Sequence, residues 1–213
     1  MSKLEEMIEE LCPDGVEIKT LEQVIFSLRT GLNPRKFFKL NTPDAKNFYV
    51  TIREIHNGRI MPDDKTDRIN DEALKLCNNR SNLEIGDVLF SGTGTIGEVA
   101  VIETSPNNWN IKEGVYSIKP NPELIDSRFL KYLLQMTQIH DSILKKIEGG
   151  TVKSISMEKL RQIEIPVPPL EIQTEIVRIL DTFTDLISEL DNELTLRKKQ
   201  YAFYRDKLLT FGN

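Results

Sequence analysis

The amino-acid sequence predicts an α+β fold. A globular domain over residues 1–168, with a mixed or antiparallel sheet and short helices, precedes a long coiled-coil-forming helix over residues 169–213. Three observations predict this. Short apolar segments such as Val88-Leu89-Phe90 are bounded by Gly, Pro, Asn and Asp, the punctuation of strands. Other stretches space their apolar residues three and four apart, as amphipathic helices do. After Pro168-Pro169 no proline follows, and apolar residues recur at heptad spacing to the end of the sequence.

In chain order, residues 3–11 place Leu4, Ile8 and Leu11 on one helical face, and Pro13-Asp14-Gly15 stops that helix in a turn. Thr20 and Gln23 have capping-box spacing, which predicts a short helix over residues 21–28. Tyr49, Thr51 and Arg53 alternate with Phe48, Val50 and Ile52, so 48–55 reads as a half-buried strand. Residues 87–90 and 98–102 read as strands joined through Gly92, Gly94 and Gly97, and 114–119 as another, closed by Pro120 and Pro122. Ser127 caps a helical pattern carried by Phe129, Leu130, Leu133, Leu134, Ile139, Ile143 and Leu144, which Gly149-Gly150 ends. A short helix from Ser156 and an extended run from Ile163 to Pro166 lead to the proline pair.

The last stretch is the clearest. One heptad column, from 173 to 208, reads Gln, Leu, Ile, Leu, Tyr, Leu, and its companion, from 176 to 211, reads Ile, Phe, Leu, Arg, Tyr, Phe. Ten of these twelve positions are apolar and their neighbours are mostly charged, so the helix is built to pair. At about 1.5 Å per residue it extends roughly 60 Å, more than a small domain can cover with its own surface. The dimerisation seam is therefore Ile176, Leu180, Phe183, Ile187, Leu190, Leu194, Tyr201, Tyr204 and Leu208, with Arg197 breaking it and fixing register against an acid such as Glu193 or Asp185. A homodimer through this helix is expected, with orientation open; a helix lying wholly on its own domain is the alternative.

Composition narrows the function. With 39% hydrophobic and 29% charged residues the chain is neither disordered nor fibrous. Its apolar runs are a few residues long, far short of the ~20 of a membrane span, and the acidic N-terminus is no secretory signal. Two cysteines, Cys12 and Cys77, make neither a disulfide framework nor a zinc site, and point to a reducing cytoplasm. The net charge of −5 is unevenly spread: residues 1–17 carry Lys3 against six acids, and residues 170–213 six bases against eight acids. The remaining body carries 21 basic and 19 acidic groups, so a nucleic-acid partner is compatible with the charge.

Catalytic signatures fail one by one. Gly92-Thr93-Gly94-Thr95-Ile96-Gly97 fits G-x-G-x-x-G, but strand-like Glu98 to Ile102 follows where a dinucleotide site needs a helix N-terminus. It reads as a glycine-rich connection between strands. Asp63-Asp64-Lys65 lacks the rest of a nuclease motif and reads as a solvated loop. His56 and His140 are isolated, and no methyltransferase Asn/Asp-Pro-Pro-aromatic motif is present. No cofactor or metal is implied.

Positive signals point to phosphate and base edges. Residues 29–40 carry Arg29, Arg35, Lys36 and Lys39 with no acid, beside Gly31, Asn33-Pro34 and two phenylalanines. Asn78-Asn79-Arg80-Ser81-Asn82 and Lys145 to Lys153 read as polar loops of similar character, and Asn107-Asn108-Trp109-Asn110 adds amides and an aromatic that equally suits a core anchor. The candidate DNA-contact residues are Arg29, Arg35, Lys36, Lys39, Arg53, Arg80, Thr93, Thr95, Lys146 and Lys153.

Taken together the motifs resemble a family. Leu11-Cys12-Pro13-Asp14-Gly15-Val16-Glu17 with Lys19-Thr20-Leu21 resembles the opening of specificity subunits of type I restriction–modification systems. Gly86-Asp87-Val88-Leu89-Phe90-Ser91 with Gly94 to Gly97 is similar to their central recognition motif. Ile165 to Gln173, then Ile176 to Leu180, resembles the junction with the spacer helix, and Arg197 to Leu209 that helix's end. The resemblance implies a non-catalytic subunit that binds double-stranded DNA and positions methyltransferase subunits and a restriction subunit. Members usually hold two recognition domains and two spacer helices, so one of each implies a half-length form reading one half-site. The alternatives are the recognition portion of a fused restriction–methylation enzyme and a coiled-coil adaptor without DNA contact.

Overall fold

The computed structural model describes residues 3–56, 58–148 and 153–211. Its centre is a four-stranded antiparallel sheet in the order β2 (Ile25–Thr30), β10 (Val115–Pro120), β7 (Val88–Ser91) and β8 (Val99–Val101). Period-two alternation sends Val88, Phe90, Val99, Tyr116 and Ile118 to one face, and Leu89, Ala100 and Val115 to the other. Both faces are covered, which is why these strands read as continuous apolar runs. The first face packs on α4 (Ser127–Gln135), α5 (Thr137–Lys145) and α6 (Met157–Arg161). The second meets a three-stranded sheet of β6 (Arg68–Ile69), β3 (Asn47–Val50) and β9 (Trp109–Ile111), in which β3 and β9 run parallel. Behind β3 lies α3 (Asp71–Ser81), which closes a third cluster of Tyr49, Ile69, Ala73, Leu74 and Cys77. Burial there pushes the Cys77 thiol up to about 12, so it stays protonated.

Two smaller pairs complete the sheets: β4 (Ile55–His56) with β5 (Arg59–Ile60), and β1 (Ile18–Thr20) with β11 (Glu164–Pro166). The second joins chain segments far apart in sequence at the base of the domain. From there α7 (Leu170–Leu209) departs, and α1 (Lys3–Leu11) lies beside its first turns. Lys3 and Arg178 both reach Glu175, and Arg178 first, then Lys3, holds that carboxyl down at about 2. On α1 the half-buried positions are Leu4 and Met7, whereas Ile8 and Leu11 are exposed.

Several elements differ from their sequence reading. Thr20 donates its backbone N–H to Gln23 Oε1 at 2.8 Å as the capping box requires, yet only one 3-10 turn, Leu21–Val24, follows. From Ile25 the chain is β2, because its ladder with β10 outbids a short isolated helix. The strand expected over 48–55 is β3, a 3-10 turn over Ile52–Glu54, and β4; Thr51 Oγ1 caps the turn by accepting from the Arg53 N–H at 3.2 Å, and the Thr51 N–H donates to Glu54 Oε2 at 2.7 Å. The helix expected from Ser127 breaks at Met136, whose extended backbone ends α4 and starts α5. Its cap is Asp126, one residue earlier, while Ser127 donates to the Gly86 carbonyl at 2.6 Å. The polar run at 78–82 is the last turn of α3, not a loop, and Trp109 lies in β9, 7% exposed, as a core anchor. Asn110 beside it is fully buried and donates to Asn78 Oδ1 at 2.7 Å. The expected stop at Gly149-Gly150 lies outside the described residues.

Candidate nucleic-acid interface

The glycine-rich connection between β7 and β8 is a tight loop, not a nucleotide cradle. Ser91 closes its neck: its N–H donates to the Glu98 carbonyl at 2.9 Å, and its hydroxyl accepts from the Glu98 N–H at 2.8 Å. Gly92 lies under the Tyr116 ring, where a Cβ would sit 2.2 Å from Cε2. The Tyr116 hydroxyl donates to the Ile155 carbonyl at 2.6 Å, the Ile155 N–H to Gly92 O at 3.0 Å, and the Gly94 N–H to Lys153 O at 3.0 Å. These main-chain bonds bring Thr93, Thr95 and Lys153 side by side, although some sixty residues separate them in sequence.

The same loop is tied to a second one. Gly92 N–H donates to Gly114 O at 2.8 Å, in the turn between β9 and β10. That turn's Glu113 donates its N–H to Leu32 O at 3.2 Å and accepts from Asn33 Nδ2 at 2.8 Å. Asn33 also caps α2 (Pro34–Phe37), accepting from the Arg35 N–H at 3.1 Å, with Pro34 preset for the first helical position. Half of the basic loop read from sequence is therefore a single capped helical turn that presents Arg35 and Lys36, with Lys39 just beyond. Asn33 and Lys112 belong to this ridge, and the sequence reading gave neither a contact role. The Asn33-Pro34 cap signature was the available clue; Lys112 has none.

Arg35, Lys36, Lys39, Lys112 and Lys153 are all exposed, and among the described residues none of them forms an ion pair. Unpaired cations beside threonine hydroxyls and an amide can neutralise phosphates and reach base edges. Arg53 borders this ridge: with His56, Thr95 and Glu98 it lines a shallow depression, although Asp67 holds it at 3.4 Å. Three candidates stand apart. Arg29 is exposed on β2 and lies toward Glu84, whose carboxyl Lys119 and, more weakly, Arg29 hold low. Arg80 projects from the end of α3. Lys146 lines a separate groove between α5 and β11 with Ser142, Lys145 and Gln162.

Asp63 and His140, both weighed for catalysis, have structural partners. Asp63 Oδ1 accepts from the Lys65 N–H at 2.8 Å, closing a turn with Thr66. His140 packs against Gly97, with its Nε2 2.6 Å from where a Cβ would be. Among the described residues no three His, Cys, Asp or Glu side chains gather as a metal site, and no helix is long and apolar enough to cross a membrane.

A second surface lies on α7. Its first turns are packed: Ile172, Gln173, Glu175 and Val177 are buried, Ile176 packs against the main core, and Leu180 is half-buried. From residue 182 onward no residue of the helix is buried, and Phe183, Ile187, Leu190, Leu194, Tyr201, Tyr204 and Leu208 are exposed along its seam. Its charge is divided. Residues 170–193 hold seven acids and one base, whereas residues 194–209 hold five bases and one acid. Arg197 pairs within its own helix, with Glu193 at 3.3 Å.

Comparison with known proteins places this architecture. Residues 13–196 match the family described as type I restriction modification DNA specificity domain. The type I restriction enzyme EcoprrI specificity subunit of Escherichia coli is 32% identical over 212 residues, covering 93% of this chain and 51% of that protein. The putative MjaX specificity subunit of Methanocaldococcus jannaschii is 29% identical over 205 residues, covering 94% of this chain and 47% of its own. The HsdS subunit from Thermoanaerobacter tengcongensis shares the fold at a TM-score of 0.58 and 20% identity, over 86% of this chain and 46% of that one. The chain thus spans about half the length of the curated relatives it matches.

Proposed function

Because the chain belongs to the type I restriction–modification DNA specificity domain family, we propose that it reads one half-site of double-stranded DNA and positions methyltransferase and restriction subunits there, carrying no catalysis itself. The recognition unit is residues 1–168, and its DNA-facing ridge is the one built from the glycine loop, the β9–β10 turn and α2. The observation that carries this is the set of exposed, unpaired cations gathered there by long-range main-chain bonds. Lys146 and Arg80, on other surfaces, contribute less.

The test is binding to the target selected with the cognate methyltransferase subunit. Replacing Arg35 and Lys36 by alanine should weaken binding and flatten the salt dependence by about one unit of slope per lost phosphate contact. A residue of the pair that also reads guanine adds roughly 1–3 kcal/mol of lost discrimination at one base pair. Unchanged affinity and slope would remove this ridge from the interface. Separately, the purified chain given S-adenosylmethionine, magnesium and duplex DNA should neither methylate nor cut; turnover that survives repurification and is abolished by Asp63→Ala would overturn the non-catalytic assignment.

The partner of α7 in this reading is a second copy. The exposed apolar seam needs a matching apolar one. The divided charge favours antiparallel pairing: parallel helices would set acids against acids and bases against bases, whereas antiparallel ones match unlike halves. A two-fold dimer reads a two-fold site, so the target is an interrupted palindrome whose gap the helix pair sets.

A further inference from the structure

We propose that Asp181 of α7, held by Arg128 and Tyr132 of α4, is a latch that sets the direction in which the helix leaves the domain, and so the gap between the two half-sites. The inference rests on the two-copy reading above.

Besides the apolar packing of its first turns, the helix has two polar attachments at α4 and its N-terminus. The first is Gln173, fully buried, whose Oε1 accepts from the Asp126 N–H at 2.8 Å and whose Nε2 donates to Leu124 O at 2.9 Å and Pro168 O at 2.8 Å. It pins the helix start to the N-terminus of α4. The second lies two turns on, about 12 Å along the axis. There Asp181 Oδ1 accepts from the Tyr132 hydroxyl at 2.6 Å and Oδ2 from Arg128 at 3.1 Å. Thr184 Oγ1 lies 3.3 Å from the same hydroxyl, and Glu103, after β8, braces Arg128 at 3.5 Å. Beyond Asp181 no residue of the helix is buried.

The packed turns end at Leu180, so among the described residues Asp181 is the last ionic hold on the helix before it runs free of the domain. Arg128 and Tyr132 are one turn apart on α4, so they grip one carboxylate from the same face. The free helix beyond Asp181 is roughly 28 residues, a lever of about 42 Å. A swing of about 10° would move its far end by about 7 Å, roughly two base-pair steps at 3.4 Å each. A polar contact at the fulcrum thus has leverage over spacing while touching neither DNA nor the seam.

Selection from duplexes carrying two half-sites at every gap length tests this. The wild-type dimer should prefer one gap, with each adjacent length, rotated about 35° by the DNA helix, bound about tenfold less well. In Asp181→Ala the adjacent lengths should come within about threefold, with the bases selected inside each half-site unchanged. Tyr132→Phe, which removes one hydroxyl, should shift the profile in the same direction by less, and it guards against a misfolded alanine variant. A purely structural role would instead weaken every gap alike. If both variants keep the wild-type profile, the latch is overturned while the two-copy reading stands. If the wild type itself selects no fixed gap, the two-copy reading falls, and the latch with it.

Discussion

Replacing Ile187 and Leu194 together by alanine is expected to convert the dimer into monomers. In the isolated chain these side chains are 60% and 51% exposed, so truncating them removes nothing from the domain's own core. In the proposed pair of helices both would be buried twice over, because two-fold symmetry repeats each change in the second copy. Cutting a large buried side chain to alanine costs about 2–5 kcal/mol, so four truncations remove roughly 8 kcal/mol or more. That equals the whole binding free energy of a dimer with a Kd near 1 μM, which leaves monomers at tens of micromolar. Light scattering with thermal unfolding as the fold control decides it. The wild type should scatter as a dimer, and the variant as a monomer with unchanged domain stability. A wild type that is monomeric at such concentrations, or a variant that stays dimeric, sinks the seam.

The second large effect is expected at Gly31. A Cβ there would lie 1.9 Å from the Ile111 carbonyl oxygen and 2.6 Å from two main-chain carbons. Only backbone is in the way, so nothing can rotate aside; β2 and β9 would have to part. Gly31→Ala should therefore exceed the usual overpacking range of about 1–3 kcal/mol. It should also displace α2, and with it Arg35 and Lys36. Gly94→Ala is the contrast: nothing lies within 4 Å, and the cost is the positive φ of 82°, about 1–2 kcal/mol. Urea unfolding of the two variants should rank them in that order, and the reverse order would contradict the packing described at Gly31.

How much was legible in the sequence follows the range of the interactions. The long helix was readable because its seam repeats at short range over twelve positions, and α6 because Ser156 caps it locally. By contrast α3 was missed: its Asn-rich last turn reads as loop by propensity, although Asn70 caps it and Ala73, Leu74, Cys77 and Ser81 form a helical stripe. The capping box at Thr20 predicted too much helix, since a local signal cannot see the strand β10 that claims Ile25 onward. Nor does anything near Met136 announce the break between α4 and α5. At the ridge proposed to face DNA, composition exposed the cations of residues 29–40, but which of them meet the glycine loop depends on contacts such as Asn33 with Glu113 and Gly94 with Lys153.

The pairing of β1 with β11 has a consequence in chain entropy. It joins Thr20 to Glu164, so nearly the whole domain is one long loop closed at its base. Closure entropy grows only as the logarithm of loop length, and even doubling the loop would cost about 0.6 kcal/mol. Surface loops inside that circuit, including those of the ridge, are thus free to lengthen or shorten almost without penalty to the closure. The two strands from which α1 and α7 depart would stay where they are, whatever the circuit between them contains.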